Sequence, residues 1–389
     1  MKLAKRMSRL GTETAFEVLA KARALEAKGK HVVHLEIGEP DFDTPAHVID
    51  EGVKALTSGF THYSPSAGIP ELRRSIARFA GNKRGLTFDP DQVVVTPGGK
   101  PIMFFILLAL AEAGDEVIYP NPGFPIYESM IDFAGATPVP IPLREDRQFR
   151  FDVDELASKI SPRTRVLIIN SPQNPTGGVL TRSDVASIAE LAVKHNLIVL
   201  SDEIYSEILY EGEHVSIATF PGMAERTIIL DGFSKTYAMN GWRLGYGIMP
   251  PELVPHVTRL VTNSVSCTAT FIQKAGVAAL EGPMDDVTKM VEEFRVRRQV
   301  IVDGLNAIPR VRCANPAGAF YVFPYVGDVG LDCRAFADYL LNEAGVATLS
   351  GTSFGSYGEG YLRLSYANSV ANIQTALDRI DSAVRKLNL

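Results

Sequence analysis

Polar residues that could do chemistry stand directly after several short apolar runs, where the predicted strands end. They are Gly99 and Lys100 after residues 93–96, Asn174 after residues 166–170, Asp202 and Tyr205 at and after the end of residues 198–202, and Ser234, Lys235 and Arg243 after residues 227–231. In a sheet with helices on both faces, ligands bind beyond the carboxyl ends of the strands. We therefore expect these side chains to meet at one edge of one sheet.

Together these residue types match the requirements of a pyridine aldehyde phosphate. The amine of Lys235 can bond to an aldehyde, and the carboxylate of Asp202 can keep a ring nitrogen protonated, which makes the ring withdraw electrons. Ser234, Arg243 and the N–H groups of a glycine-led helix start suit a phosphate. A nicotinamide dinucleotide would need no such lysine, and its glycine-rich fingerprint does not occur in the sequence. The set therefore favours pyridoxal phosphate as cofactor.

The motifs that contain these residues resemble those of the fold-type-I aminotransferases, class I/II, and within them the bacterial aspartate aminotransferase-like branch. The most specific motifs are, in chain order, Asn174-Pro175-Thr176-Gly177, Asp202-Glu203-Ile204-Tyr205, Ser234-Lys235 and Gly241-Trp242-Arg243-Leu244-Gly245. Single motifs of this kind are also typical of tight turns and surface loops, so the resemblance depends on their order and spacing. It extends from about Leu35 to Arg363, and it implies an enzyme that moves an amino group from an amino acid to a 2-oxo acid by a ping-pong mechanism.

The resemblance implies a catalytic centre around the cofactor ring. Lys235 is the lysine that bonds the cofactor aldehyde and then moves the proton, two roles that suit one amine. Asp202 pairs with the ring nitrogen. Asn174 and Tyr205 hydrogen-bond the oxygen on the ring, and Asn174 also faces the substrate.

A second group of residues is implied for the cofactor phosphate and the face of the ring. Ser234, Arg243 and the backbone amides of Gly99 and Lys100 hold the phosphate. Phe124 stacks on the ring in the family, although a phenylalanine at this helix start is also typical of a core position.

Substrate recognition is implied for three residues and is less specific. Arg363 and the N–H of Gly38 bind the α-carboxylate, whereas the alternative for Arg363 is a surface arginine at a strand end. Lys100 matches a lysine that meets the distal carboxylate of aspartate or glutamate, which favours L-aspartate as donor and 2-oxoglutarate as acceptor. The alternative is that Lys100 tops the phosphate site or faces solvent. Phe16 and Asn240 depart from the branch pattern and leave room for aromatic or aliphatic side chains.

The resemblance also implies a homodimer with shared active sites. Tyr63 matches a tyrosine that reaches the phosphate bound by the neighbouring subunit. Two other functions stay open at this point. One is a C–S lyase, decarboxylase or racemase on the same fold, since a fold does not dictate a reaction. The other is a regulatory module of a transcription factor.

Composition restricts the remaining function classes. The 389 residues carry a net charge of −6 with a pI near 5.7, and general nucleic-acid and membrane-surface binders instead present a basic face. We therefore expect neither partner. The three cysteines, Cys267, Cys313 and Cys333, lack the spacing of a metal site or a disulfide framework, which predicts no metal and favours a cytoplasmic location.

Strand and helix patterns predict an α/β fold for the middle of the chain. Strands are predicted at residues 93–96, 116–119, 137–141, 166–170, 198–202, 227–231 and 244–248, and helices at 14–29, 46–58, 70–83, 100–113, 123–134, 183–195 and 205–209. Continuous apolar strands between helices indicate a largely parallel sheet covered on both faces. The family fold that this implies is a large domain with a mostly parallel seven-stranded sheet plus a smaller α+β domain.

The two chain ends are predicted to build the smaller domain. Residues 1–37 form an N-terminal arm and part of that domain, residues 38–283 form the large cofactor-binding domain, and residues 284–389 form a connecting helix and the rest of the small domain. Short strands are predicted at residues 31–37 and 360–365, and a hairpin-like stretch at residues 318–323.

Overall fold

The computed structural model describes residues 1–387 of the chain. Its helices are α1 Thr14–Glu26, α2 Ala46–Thr57, α3 Pro70–Arg84, α4 Lys100–Leu110, α5 Ile126–Ala134, α6 Val153–Lys159, α7 Arg182–Lys194, α8 Val254–Ser264, α9 Thr270–Glu281, α10 Asp285–Ala307, α11 Cys333–Tyr339 and α12 Val370–Lys386. Its strands are β1 Val33–His34, β2 Val93–Thr96, β3 Glu116–Asn121, β4 Thr137–Pro142, β5 Thr164–Asn170, β6 Ile198–Asp202, β7 Thr227–Gly232, β8 Gly245–Ile248, β9 Tyr321–Val322, β10 Val346–Ala347, β11 Leu349–Ser350 and β12 Leu362–Ser365. Among residues 1–387, no helix has the length and apolar character needed to cross a membrane.

A seven-stranded sheet with the order β2-β8-β7-β6-β5-β3-β4 forms the centre of the fold. All neighbouring pairs are parallel except those of β8, which runs antiparallel to both β2 and β7. This confirms the predicted α/β fold with a mostly parallel sheet.

Both faces of this sheet are covered, which explains why its strands are apolar at successive positions. In β3, Val117 packs into the cluster that includes α4 and α5, whereas the next residue, Ile118, packs into the cluster with α6 and α7. In β5, Ile168 and Leu167 divide between the same two clusters. Successive side chains of a strand point to opposite faces, so an uninterrupted apolar run is required here.

The direction of the strands collects the chemistry-bearing residues. Strands β2, β3, β5, β6 and β7 run the same way, so their carboxyl ends lie at one edge of the sheet. The antiparallel β8 begins at that edge. The segments after the parallel strands and the segment before β8 therefore surround one volume, as expected for open α/β sheets.

The remaining strands and the last helices form a smaller α+β unit. Strands β9, β11 and β12 make an antiparallel sheet in which β12 is central, and β1 pairs in parallel with β10. A core cluster that includes Phe294 of α10, Phe320, Phe336 of α11 and Ile373 of α12 holds these elements together. The boundaries after residues 37 and 283 stay predictions.

Three predicted elements are wrong in detail. Residues 205–209 form turns rather than a helix, because their backbone pairs with a distant segment: Tyr210 N–H donates to Ala317 and Ala319 N–H to Ile208. Residues 318–323 form no hairpin, since β9 pairs with β12 from more than 40 positions later in the chain. The strand predicted at residues 31–37 is shorter in the structure: only the two residues of β1 pair with β10.

Candidate active site

A cavity of about 490 Å³ opens at the edge of the sheet where the parallel strands end. Eleven of the twelve residues predicted for the site line it: Gly38, Gly99, Lys100, Phe124, Asn174, Asp202, Tyr205, Ser234, Lys235, Arg243 and Arg363. The exception is Tyr63, whose side chain is 89% exposed and lies outside the cavity of its own chain.

Lys235 follows β7 and brings an amine into the cavity. Its Nζ donates to the carbonyl oxygen of Gly38 at 2.6 Å and lies 5.8 Å from the ring centre of Phe320. Burial lowers the pKa of Lys235 to about 8, against the opposing charge of Glu39. Because an uncharged amine is the nucleophilic form, Lys235 is poised to react near neutral pH.

Asp202 ends β6 and is a buried carboxylate, 7% exposed. Its Oδ2 accepts from the hydroxyl of Tyr127 at 2.6 Å and its Oδ1 from the N–H of Ile204 at 3.3 Å. Burial raises the pKa of Asp202 to about 6, while these two hydrogen bonds act in the opposite direction. An ionised carboxylate that is buried in this way destabilises the fold unless a cationic group pairs with it.

Asn170 is the last residue of β5, and Asn174 lies in the loop between β5 and α7. Asn170 donates from Nδ2 to the carbonyl of Asp202 at 3.0 Å and accepts from the N–H of Asn174 at 3.0 Å. It therefore ties the loop to the end of β6. The Oδ1 of Asn174 is buried without a hydrogen-bond partner within residues 1–387, and buried polar atoms of this kind call for a ligand.

Two tyrosines close the inner wall of the cavity. The hydroxyls of Tyr205 and Tyr321 are 2.7 Å apart, and burial raises the pKa of both. A side chain on Gly38 would place its Cβ 2.2 Å from the Tyr321 hydroxyl. Gly38 is thus required for the backbone to come this close.

Arg363, in β12, is a cation inside the cavity wall and is 3% exposed. Its Nη2 donates to the carbonyl of Glu36, its guanidinium lies 4.6 Å from the ring centre of Tyr321, and its Nε has no partner within the described chain. Burial lowers the pKa of Arg363, but arginine stays charged in proteins. The surface-arginine alternative is therefore wrong, and the group suits a carboxylate.

A second cation lies where the loop after β2 meets the start of β8. Arg243 has a left-handed backbone, with a φ of 56°, and donates from Nη1 to the carbonyl of Asn240 at 2.8 Å. A Cβ on Gly98 would lie 2.1 Å from its Nη2, and a Cβ on Gly245 would lie 2.5 Å from the Gly98–Gly99 peptide. Because α4 begins directly afterwards, the N–H groups of Gly99 and Lys100, which precede Pro101, lie beside Arg243 and together with it suit an anion.

At the cavity mouth lie Phe124 and Lys100. Phe124 lines the cavity and packs edge-on against Tyr127, with ring centres 5.7 Å apart, and its stacking on the cofactor ring stays a prediction. The Nζ of Lys100 lies 5.4 Å from the Phe124 ring centre and contacts the carboxylate of Glu13.

Comparison with known proteins identifies the family. Residues 30–380 match the family Aminotransferase class I and II. The chain is a class I and II aminotransferase. An aspartate aminotransferase from Pyrococcus abyssi is 42% identical over 366 residues, which cover 92% of this chain and 93% of the relative.

Relatives of this aminotransferase carry names that differ in substrate. The aromatic-amino-acid aminotransferase 2 of Thermococcus litoralis is 41% identical over 364 residues, 92% of this chain and 93% of the relative. The solved structure of an aspartate aminotransferase from Thermus thermophilus with maleate superimposes with a TM-score of 0.95 at 37% identity, covering 98% of this chain and 100% of that one.

Aminotransferases of this family use pyridoxal phosphate, and the cavity residues fit this cofactor. The unpartnered Oδ1 of Asn174 and the buried carboxylate of Asp202 are suited to polar groups on a ring. Gly98 lets the Arg243 guanidinium lie beside the start of α4, where a Cβ at position 98 would collide with it, and this cation suits the cofactor phosphate. The amine of Lys235 lines the same cavity.

Four residues at the aminotransferase site were not predicted from the sequence: Tyr127, Asn170, Tyr321 and Glu13. Two of them had a usable signal. Tyr127 stands three positions after Phe124, which puts both on one face of a helical turn, and Asn170 is opposite Asp202 in the β5–β6 register. Tyr321 and Glu13 come from distant parts of the chain and follow no motif.

Proposed function

We propose that this aminotransferase transfers the amino group of L-aspartate to 2-oxoglutarate by a ping-pong mechanism. The supporting observation is a pair of cations on one cavity, the buried guanidinium of Arg363 and the amine of Lys100 at the mouth. Dicarboxylic substrates have two carboxylates to match them. Because donor and acceptor would both need Arg363, they would use the cavity in turn.

In the proposed mechanism, Arg363 and the N–H of Gly38 hold the α-carboxylate and thereby fix the α-carbon. The bound cofactor supplies a ring that withdraws electrons from that carbon. The Nζ of Lys235 then accepts the α-proton, a role that suits an amine whose pKa is about 8. The carboxylate of Asp202 would keep a proton on the ring nitrogen of the bound cofactor.

The remaining residues would position the cofactor. Ser234, Arg243 and the amides of Gly99 and Lys100 would hold its phosphate, supported by the anion site at the start of α4. Three further residues would contact the ring: Asn174 and Tyr205 at the ring oxygen, and Phe124 at one face.

Replacing Lys100 with methionine tests the proposed substrate class. Loss of a charge-assisted contact to a distal carboxylate is expected to lower kcat/KM for L-aspartate about 10- to 100-fold. For L-phenylalanine, which has no distal carboxylate, the loss should stay under about 3-fold. Steady-state kinetics with both donors measure the ratio. Lys159→Met, which removes a partly exposed lysine of α6 that pairs with Glu155, is the matched control. An equal loss for both donors would exclude the distal-carboxylate role.

We also propose a homodimer whose active sites are shared. The α2 face, formed by Ile49, Val53 and Leu56, is apolar and 38%, 56% and 47% exposed. These residues lie on one stripe of the helix, and the stripe leads to the exposed Phe60 and Tyr63. A contiguous apolar surface of this kind is typical of an interface, and a dimer through it would leave Tyr63 free to reach the partner's phosphate.

Val53→Asp is expected to convert the dimer to a monomer, because a carboxylate would be buried without a partner at the interface. Light scattering at micromolar protein concentration measures the mass. Val296→Asp alters an equally exposed valine of α10, 53% exposed, and should leave the mass unchanged. A wild-type protein that is already monomeric would contradict the proposal.

A second substrate class is favoured by one observation. Phe16 lines the cavity with its ring 61% exposed, so an aromatic or aliphatic substrate side chain would find an apolar contact there. The aromatic-amino-acid relative from Thermococcus litoralis supports the same alternative. The cytoplasmic location stays a prediction of the sequence.

A further inference from the structure

Glu13 is the N-cap residue of α1, directly before Thr14, but its side chain makes no hydrogen bond to the N–H groups of that helix. Its carboxylate instead contacts the Nζ of Lys100, 87 positions away in the chain. The Glu13 side chain is 18% exposed and that of Lys100 is 47% exposed. Glu13 is therefore held in the cavity wall by its contact with the lysine.

The surroundings of this ion pair are largely apolar. Ala15 and Phe16 follow Glu13 along the same wall, and the Phe124 ring lies beneath the Lys100 amine. Burial lowers the pKa of Arg363, and the negative charge of Glu13, after those of Tyr321, Tyr205 and Glu36, opposes this effect. Glu13 is thus part of the electrostatic environment that a substrate side chain enters.

Two kinds of substrate would meet this pair differently. An uncharged side chain can pack against Phe16 with the Glu13–Lys100 pair intact and neutral. A distal carboxylate that binds Lys100 competes with the carboxylate of Glu13, which already contacts that amine.

We propose that Glu13 is a specificity-determining residue, a displaceable counter-ion that neutralises Lys100 for uncharged substrates and yields it to a distal carboxylate. This inference rests on the proposed role of Lys100. It gives a single cavity a means to accept both a dicarboxylic and an apolar partner in the two halves of a transamination.

Glu13→Gln tests the inference through binding as well as turnover. Succinate serves as the dicarboxylate probe and 3-phenylpropionate as the probe with an uncharged side chain, each titrated into the holoenzyme by calorimetry. With the competing anion removed, succinate is expected to bind at least about 10-fold more tightly, and 3-phenylpropionate to bind equally or more weakly. Glu17→Gln is the control. It alters an exposed acid one turn further along α1 and should change the affinity for neither probe.

The Lys100→Met background separates the two proposals. There Glu13→Gln should no longer change succinate affinity, because the coupling passes through Lys100. If Glu13→Gln has no effect while Lys100→Met weakens succinate, the counter-ion role is wrong and the role of Lys100 stands. If Glu13→Gln strengthens succinate equally in both backgrounds, Glu13 does not act through Lys100, and the inference is overturned. If Lys100→Met leaves succinate affinity unchanged, the proposed substrate class itself fails.

Discussion

Lys235→Ala is expected to lower kcat for transamination by at least about 10⁴-fold, because the variant loses both the covalent and the proton-transfer contribution of one amine. KM should change far less, since the proposed contacts of the α-carboxylate with Arg363 and the N–H of Gly38 are kept. Steady-state assays with L-aspartate and 2-oxoglutarate measure both constants. A variant that retains more than a few per cent of the wild-type kcat would show that another base moves the proton.

The same variant has a readout independent of turnover. Wild-type protein mixed with pyridoxal phosphate should become yellow, and borohydride should fix the cofactor to the peptide that contains Lys235. With a pKa of about 8, roughly a quarter of the amine is unprotonated at pH 7.5, against roughly 0.1% for an ordinary lysine. Cofactor uptake should therefore accelerate between about pH 7 and pH 9 and then level off. Lys235→Ala should give no adduct, and Lys100→Met should give a normal one.

Asp202→Asn is expected to lower kcat about 10³-fold or more, because a neutral amide cannot stabilise the proton on the ring nitrogen and the ring then withdraws electrons poorly. The Tyr127 hydroxyl can still donate to the amide oxygen, so the local geometry is kept. Tyr127→Phe is the matched comparison: it removes the 2.6 Å hydrogen bond but leaves the charge, and it should cost only about 10-fold. If both variants lose equally, the carboxylate acts through its position rather than its charge.

The stability of the cofactor-free protein gives an independent check on Asp202. Burial raises the pKa of Asp202 from 3.8 to about 6. The contribution of this group to the free energy of unfolding is therefore fully present below pH 3.8, where it is protonated, and is lost as pH rises through 6. At pH 8 the buried charge then costs about 3 kcal/mol. Denaturant unfolding should accordingly show Asp202→Asn to be more stable than wild type at pH 8, with the difference shrinking as pH falls toward 4. A variant that is less stable at pH 8 would mean that the charge is compensated within the fold.

Local sequence was sufficient to predict the frame of the large sheet and most of the cavity. Strands such as β2 and β6 were predicted with their observed bounds, because a strand buried on both faces must be apolar at every position. Parallel strands end at a common edge, so the residues after them had to be neighbours. Eight of the eleven predicted residues that line the cavity follow from this argument, whereas Gly38, Phe124 and Arg363 were predicted only from the family resemblance.

Neighbouring residues with the same chemistry illustrate what sequence does not reveal. Asp202 and Glu203 are both buried acids, yet burial raises the pKa of Asp202, whereas the pKa of Glu203 lies well below its usual range. Against the burial that would raise it, Glu203 has Arg84 at 2.6 Å and His214 at 2.8 Å. These partners belong to α3 and to the segment after β6, and the alternation of a strand turns Glu203 toward them and Asp202 toward the cavity.

The features of this aminotransferase that could not be predicted from its sequence all depend on contacts between segments that are distant in the chain. Residues 205–209 form no helix because this segment pairs with residues 317–319. Tyr321 of β9 contacts Tyr205, and Glu13 at the start of α1 contacts Lys100. Helical propensity and motif spacing act over a few residues, whereas such contacts are chosen by the packing of whole elements. Short motifs were therefore enough to predict the residues that line the cavity, whereas contacts such as that of Glu13 with Lys100 at the cavity mouth exist only in the folded chain.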